Sequence, residues 1–187
     1  MTYRVMKTKV YTLIEEAKKG ENYSTSDADI EAKMPEVTNQ VMFELSRVKK
    51  IPRYVEIPVK AGDRVTFADI AEKCGSEVFQ IDSTKGVNHE EKALGTVFKI
   101  LEDGVFEVEC FIYPERITAN TSDTAYEFEL SEDVLEIMPY GIAADLLKSD
   151  SSSAYGNIYA QRYENMKRAI DPKYKRTTFK YTGGVAI

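Results

Sequence analysis

The sequence predicts an α+β protein: a helical core of about four helices, interrupted by an inserted antiparallel β lobe and followed by an extended C-terminal tail. Three observations carry this. Apolar residues recur every three or four positions near both ends, they alternate every second position in the middle, and the last sixteen residues hold four bases and no acid. The division that follows is residues 1–51 and 131–171 for the two parts of the helical core, 52–130 for the lobe and 172–187 for the tail. A chain of 187 residues, 43% apolar and 30% charged, has the size and makeup of one ordinary globular domain.

The first predicted helix covers Tyr3 to Lys19, with Val5, Val10, Leu13, Ile14 and Ala17 as its apolar stripe and Gly20 and Asn22 as its stop. Asp27 or Asp29 caps a second helix whose seam is Ile30, Met34, Val37, Val41, Leu45 and Val48. Pro35 predicts a kink or a fresh start inside it, because proline removes a backbone donor. From Arg53 the period drops to two through Val59, and Pro58 favours a sheet edge. Thr66 starts a short helix over Phe67 to Lys73 that Gly75 ends. Glu77 to Asp82 reads as a strand, and the polar run STKGVNHEEKALG reads as a loop. Thr96 to Leu101 and Val105 to Tyr113 read as a hairpin, because Asp103-Gly104 lies between β-branched and aromatic runs. Tyr126 to Leu130 completes the lobe as a last short strand.

Ser131 is the predicted N-cap of the next helix, Pro139 a kink or second start, and Ile142, Ala143, Leu146 and Leu147 its packing face. Ser151 to Ser153 turn the chain into a last helix, Ala154 to Ile170, closed by Asp171-Pro172. There Tyr155, Tyr159, Arg162 and Tyr163 spread over more than one stripe, which is wider than a single core face requires. The expectation is that the three tyrosines are not all buried within one subunit.

Net charge is -6, unevenly placed: residues 101–136 hold eleven acids and one base, Arg116. Removing the +4 of the tail leaves -10 on the rest, a body that repels nucleic acid over most of its surface. An acidic protein with a solvated tail accounts for this as well as a tail that seeks an acidic partner does. In RTTFKYTGG, Thr177, Phe179 and Tyr181 alternate with Thr178 and Lys180, so the tail is either a strand added to a partner or a frayed terminus. Its bases and aromatics are also a weak nucleic-acid cue.

Residue chemistry points away from catalysis. His89 is the sole histidine, placed in the polar loop and read as solvent-exposed, and no phosphate-cradling glycine loop or calcium-loop spacing exists. Cys74 and Cys110, the only cysteines and far apart in sequence, read as separate structural thiols. No cofactor and no metal is expected. Apolar runs are too short to span a membrane and the N-terminus is too polar for a signal peptide, so the expectation is a protein made in the cytosol.

LEIMPYGIAADLLKSD at Leu135 to Asp150 and YAQRYENMKRAIDPKY at Tyr159 to Tyr174 resemble bacteriophage head-to-tail connector proteins, the adaptors that form a ring beneath the portal. FIYPERIT at Phe111 to Thr118, followed by YEFELSED at Tyr126 to Asp133, fits the same pattern. The resemblance covers the last 80 or so residues, and the first two helices by arrangement only. It implies a virion protein of the neck, not an enzyme: monomeric until it meets the portal protein, then a twelve-fold ring that touches other neck or tail proteins while DNA passes without specific binding. It further implies a portal-gripping tail, here Tyr174, Arg176, Phe179, Lys180 and Tyr181, and lateral subunit contacts through Tyr155, Tyr159, Arg162 and Tyr163. If the acidic run lines the channel, Glu107, Glu109, Glu127 and Glu129 are the candidates. The alternatives are a neck or tail-completion protein of the same particle and a small nucleic-acid-binding regulator.

Overall fold

The structure is a computed structural model that describes residues 1–20, 27–148 and 154–170. Helix α1 (Tyr3–Gly20) buries Tyr3, Met6, Val10 and Ile14, a stripe in steps of three and four. Val5 lies off that stripe and is exposed, contrary to expectation, because the packed face is set one residue further round. Leu13 is half-buried, and the side chain of Ala17 lies outside the described residues.

Helix α2 (Asp27–Val48) runs without a break through Pro35, so the fresh start expected there is absent. It buries Ile30, Met34, Val41, Met42 and Leu45 together with the hydroxyls of Thr38 and Ser46, which donate back to the Met34 and Phe43 carbonyls. Both candidate caps, Asp27 and Asp29, fall in its first turn.

The lobe is two three-stranded antiparallel sheets, β1-β6-β3 and β2-β5-β4. The strands are β1 (Ile51–Val59), β2 (Arg64–Thr66), β3 (Val78–Lys85), β4 (His89–Lys92), β5 (Val97–Ile100) and β6 (Gly104–Ile112). The proline-bearing β1 is an edge, as Pro58 requires. Helix α3 (Phe67–Cys74) has the predicted start and stop: Thr66 and Asp69 form a reciprocal capping box, and Gly75 takes the left-handed conformation at φ 64°.

Two expectations fail in the lobe. The polar run is not all loop, since β3 extends to Lys85 and His89–Lys92 pairs with β5 as β4. That pairing satisfies a free backbone edge of β5, a gain that side-chain patterning does not reveal. The β5–β6 hairpin is also absent. Both edges of β5 are taken by β2 and β4, so the chain crosses at Glu102-Asp103 into the other sheet. The turn carboxylates are held there: Asp103 accepts from the Ala61 amide at 2.7 Å, and Glu102 accepts from the Asn88 amide at 2.8 Å. Phe98 of β5 and Phe106 of β6 meet with ring centroids 5.3 Å apart, which joins the two sheets.

Tyr126 to Leu130 is extended but does not join the lobe. Glu127 bridges to Thr2, and the Phe128 amide donates to the Met1 carbonyl at 3.1 Å. Tyr126, Phe128 and Leu130 are buried, with Tyr126 and Phe128 edge-on to the ring of Tyr3. A few residues earlier, the side chain of Asn39 holds both the amide and the carbonyl of Ile117 at 2.8 Å. The segment that leaves the lobe is therefore fastened to the helices.

Helix α4 (Glu132–Leu147) is one helix through Pro139 and lies at the centre. Ser131 occupies the N-cap position but makes no capping bond with its hydroxyl. The loss is small in context: a cap contributes about 1 kcal/mol. The seven large apolar side chains buried on α4, from Val134 to Leu147, contribute roughly 10–20 kcal/mol before entropy is subtracted. α4 packs against α1, α2 and α5 (Ala154–Ile170). The predicted turn at Ser151 to Ser153 and the stop at Asp171-Pro172 lie outside the described residues. A continuous set of buried side chains runs from these helices into the lobe.

Candidate interaction surfaces

The tyrosines of α5 decide which of its faces is available. Gly141 of α4 has no side chain, and a Cβ there would sit 2.8 Å from the Tyr163 ring and 3.0 Å from Val41. The missing atom lets α5 and α2 close on α4. Tyr163 is 6% exposed and donates to Glu44 of α2 at 2.8 Å; burial, then the Glu44 charge, pushes its hydroxyl pKa far up. Tyr159, also 6% exposed, donates to the Leu13 carbonyl of α1 at 3.0 Å. Lys167 reaches the same Glu44 at 2.5 Å. Thus α5 is held to three helices by two tyrosines and a lysine.

The expected role of Tyr159 and Tyr163 as subunit contacts is corrected by this burial: both rings are interior to one chain. The reason is that α5 packs along α4 while its ring hydroxyls reach over to α1 and α2, so it needs a wider buried face than a helix resting on a single neighbour. Tyr155 is half-buried against the Tyr159 ring, 6.1 Å away between centroids, so the three tyrosines are not all buried in one chain. Arg162 is exposed and lies over the Tyr140 ring at 4.3 Å. Tyr155, Ile158 and Arg162 follow in steps of three and four, so they line one outward stripe of α5, and Ile158 is 53% exposed. Beside it, Arg162, Tyr140, Met166, Lys9 and Glu136 border a groove of about 420 Å³ among α1, α4 and α5.

The four acids proposed for a channel do not form one patch. Glu107 and Glu109 lie on the outer face of β6; Glu107 stands directly opposite Glu56 of β1, and Glu109 is held by Ser83 at 2.8 Å and Lys85 at 3.3 Å. Those two bonds hold the Glu109 carboxyl below its ordinary range. On the same face the Tyr54 hydroxyl is pushed up to about 12, first by desolvation and then by Glu107 and Glu56. Glu127 and Glu129 lie on the extended segment beside the N-terminus, where Glu129 pairs with Arg53 at 2.9 Å. Arg53 and Tyr54 are consecutive in β1 and point to opposite faces, which puts Glu129 on the other side of the sheet from Glu107. Glu127 and Glu129 instead share a groove of about 510 Å³ with Glu77, Glu115, Arg116 and Tyr113.

Two chemistry-bearing residues are placed differently from expectation. His89 is not in an open loop: it is half-buried on β4, its ring edge-on to Phe98 and Phe106, with Nδ1 2.9 Å from the Val87 carbonyl and Nε2 3.0 Å from the Thr84 hydroxyl. Nδ1 therefore carries a proton and donates. Cys74 and Cys110 are not separate, because their sulfurs are 3.4 Å apart. Contact across 36 residues follows from α3 packing on the sheet and has no local signal.

Among the described residues no three His, Cys, Asp or Glu side chains converge as a metal site, and no helix is long and apolar enough to cross a membrane. The tail residues Tyr174, Arg176, Phe179, Lys180 and Tyr181 lie outside the described residues. Neither a protein-family model nor a curated protein matches the chain.

Proposed function

We propose that this chain is a structural subunit of a bacteriophage neck, a head-to-tail connector that joins a dodecameric ring beneath the portal. The observation that carries the reading is the position of α4. The segment LEIMPYGIAADLLKSD, one of the two that carry the resemblance, supplies a helix that is buried along most of its length and gathers the helices from both ends of the chain. The lobe projects from that bundle between α2 and α4, in the element order of the connector arrangement. The stripe Tyr155, Ile158 and Arg162, flanked by Tyr140, is the surface assigned to the neighbouring subunit, since amphipathic aromatics and arginine suit protein interfaces. The tail from Pro172 onward is assigned to the portal. DNA passes through the ring without specific binding, and no cofactor is required.

The test mixes the purified full chain with the portal protein encoded beside it and measures the mass of the product. A ring on the portal is expected, and loss of binding on removing residues 172–187 locates the grip. Ile158→Asp combined with Arg162→Glu should leave a folded monomer that cannot close the ring. A full chain that stays monomeric with the portal overturns the reading. Salt-sensitive DNA binding by the isolated chain would favour a nucleic-acid regulator instead.

A further inference from the structure

We propose that Cys74 and Cys110 are a reversible dithiol–disulfide pair, a covalent modification site at which a peroxide or a small disulfide cross-links α3 to β6. The inference rests on position and access and is independent of the proposed function.

The two sulfurs are 3.4 Å apart, so about 1.4 Å of approach brings them to the ~2.05 Å bond of a disulfide. Neither sulfur hangs on a loose segment. Cys74 is the last residue of α3, which is fixed at one end by the Thr66–Asp69 capping box and at the other by Gly75, whose amide bonds to the Ala71 and Glu72 carbonyls. Cys110 sits inside β6 and is paired with Arg53 of β1 on one side and Ile81 of β3 on the other. The thiols are therefore held in contact by secondary structure that exists without the bond.

Their exposures divide the chemistry. Cys74 is half-buried and accessible to a small oxidant, whereas Cys110 is 1% exposed. Burial, then the neighbouring Cys74, pushes the Cys110 thiol up to about 12, so it is protonated and unreactive until its partner changes. With hydrogen peroxide, the Cys74 thiolate attacks one oxygen, the O–O bond breaks, and a sulfenic acid forms as the departing hydroxide takes a proton and leaves as water. The Cys110 sulfur then attacks the Cys74 sulfur, the S–O bond breaks, and the hydroxyl leaves with the Cys110 proton as a second water. Two thiols lose two electrons and two protons, and the peroxide is reduced to two waters. With oxidised glutathione the same bond forms by two exchanges that release two reduced glutathiones.

The consequence is mechanical. Closing the segment between residues 74 and 110 restricts the unfolded chain and ties α3 to the strand at the centre of its sheet.

The experiment equilibrates the full chain with oxidised or reduced glutathione, alkylates free thiols, and reads intact mass, unreduced peptide maps and the thermal midpoint. The expected oxidised product is a monomer that takes up no alkylating group, yields a Cys74–Cys110 linked peptide, reverts with reductant, and melts about 5–15 °C higher than the reduced chain. Cys74→Ser should abolish the link and the shift while leaving the Cys110 core contact in place. The proposal is overturned if both thiols remain alkylatable. It is also overturned if oxidation ends at a Cys74 mixed disulfide or a Cys74-linked dimer, or if the linked monomer melts no higher than the reduced one.

Discussion

Gly141→Ala separates two opposed effects on α4, and their balance tests whether Tyr163 belongs to the interior of a single chain. Replacing a glycine inside a helix by alanine stabilises by about 1 kcal/mol through backbone entropy alone. At this position the new Cβ meets two Tyr163 ring carbons at 2.8 and 2.9 Å and Val41 Cγ1 at 3.0 Å, well inside the ~3.5–4.0 Å of a relaxed carbon contact. The ring cannot swing away freely, because its hydroxyl is bonded to Glu44, which Lys167 also holds. Overpacking of this kind costs about 1–3 kcal/mol, so the net expectation is a loss of about 1 kcal/mol. In a Tyr163→Ala background the main obstruction is gone, and the same substitution should become neutral or stabilising. Urea unfolding of the isolated full chain at neutral pH, with all four members of the cycle compared at constant m-value, measures this directly. An equal effect of Gly141→Ala in both backgrounds would refute the packing argument. So would stabilisation of the wild-type background, the result expected if the Tyr163 ring stood free until a second subunit covered it.

Three further outcomes follow from the lobe and the surface. Thr66→Ala removes the half of the capping box in which the threonine hydroxyl accepts from the Asp69 amide, leaves the backbone amide of residue 66 donating to the Asp69 carboxylate, and should cost about 1 kcal/mol in chemical denaturation, while Thr66→Ser should cost much less. Glu107→Gln removes one of two acids directly opposed across β1 and β6, and should stabilise by about 0.2–1 kcal/mol at low salt, with the gain shrinking as salt rises. The third concerns acid. Glu31 is held below its ordinary value by Lys7 and the Tyr11 hydroxyl, and Asp133 by Lys49 and Ser131. Carboxyls depressed in the folded state add stability that is present above their ordinary values near 4.5 and 3.8 and is lost as pH falls through the folded ones. Lys7→Met should therefore be less stable at neutral pH, by no more than about 1 kcal/mol because Glu31 is exposed, and its difference from wild type should fade below about pH 4. A difference that persists unchanged at low pH would assign the effect to lost packing of the lysine stem.

Local chemistry on consecutive residues was legible in the sequence. The helical spacing of α1, α2, α4 and α5, the Thr66 cap with its Gly75 stop, and the edge position of β1 each depend on backbone preferences acting within a few residues, so the chain carries them in its own order. The two prolines inside α2 and α4 were read as a kink or a fresh start. No fresh start occurs at either, because burial of a long apolar face outweighs one missing hydrogen bond in each helix.

Pairing was a different matter. His89–Lys92 is polar and looks like loop, yet becomes β4 because β5 offers an unpaired edge; Asp103-Gly104 looks like a hairpin turn, yet becomes a crossover because β5 has no edge left. The same limit governed the candidate surfaces. The sequence by itself determined that α5 carries more tyrosine than one core face can use, and that the chain is acidic ahead of a basic tail. Only the tertiary structure decided that Tyr159 and Tyr163 serve α1 and α2, that Tyr155 is half-buried while Ile158 and Arg162 remain outside, that the four candidate acids divide between two faces, and that two distant cysteines touch. Those outcomes depend on which backbone edges and helix grooves are free when the chain closes on itself, and that competition is settled between segments far apart in sequence.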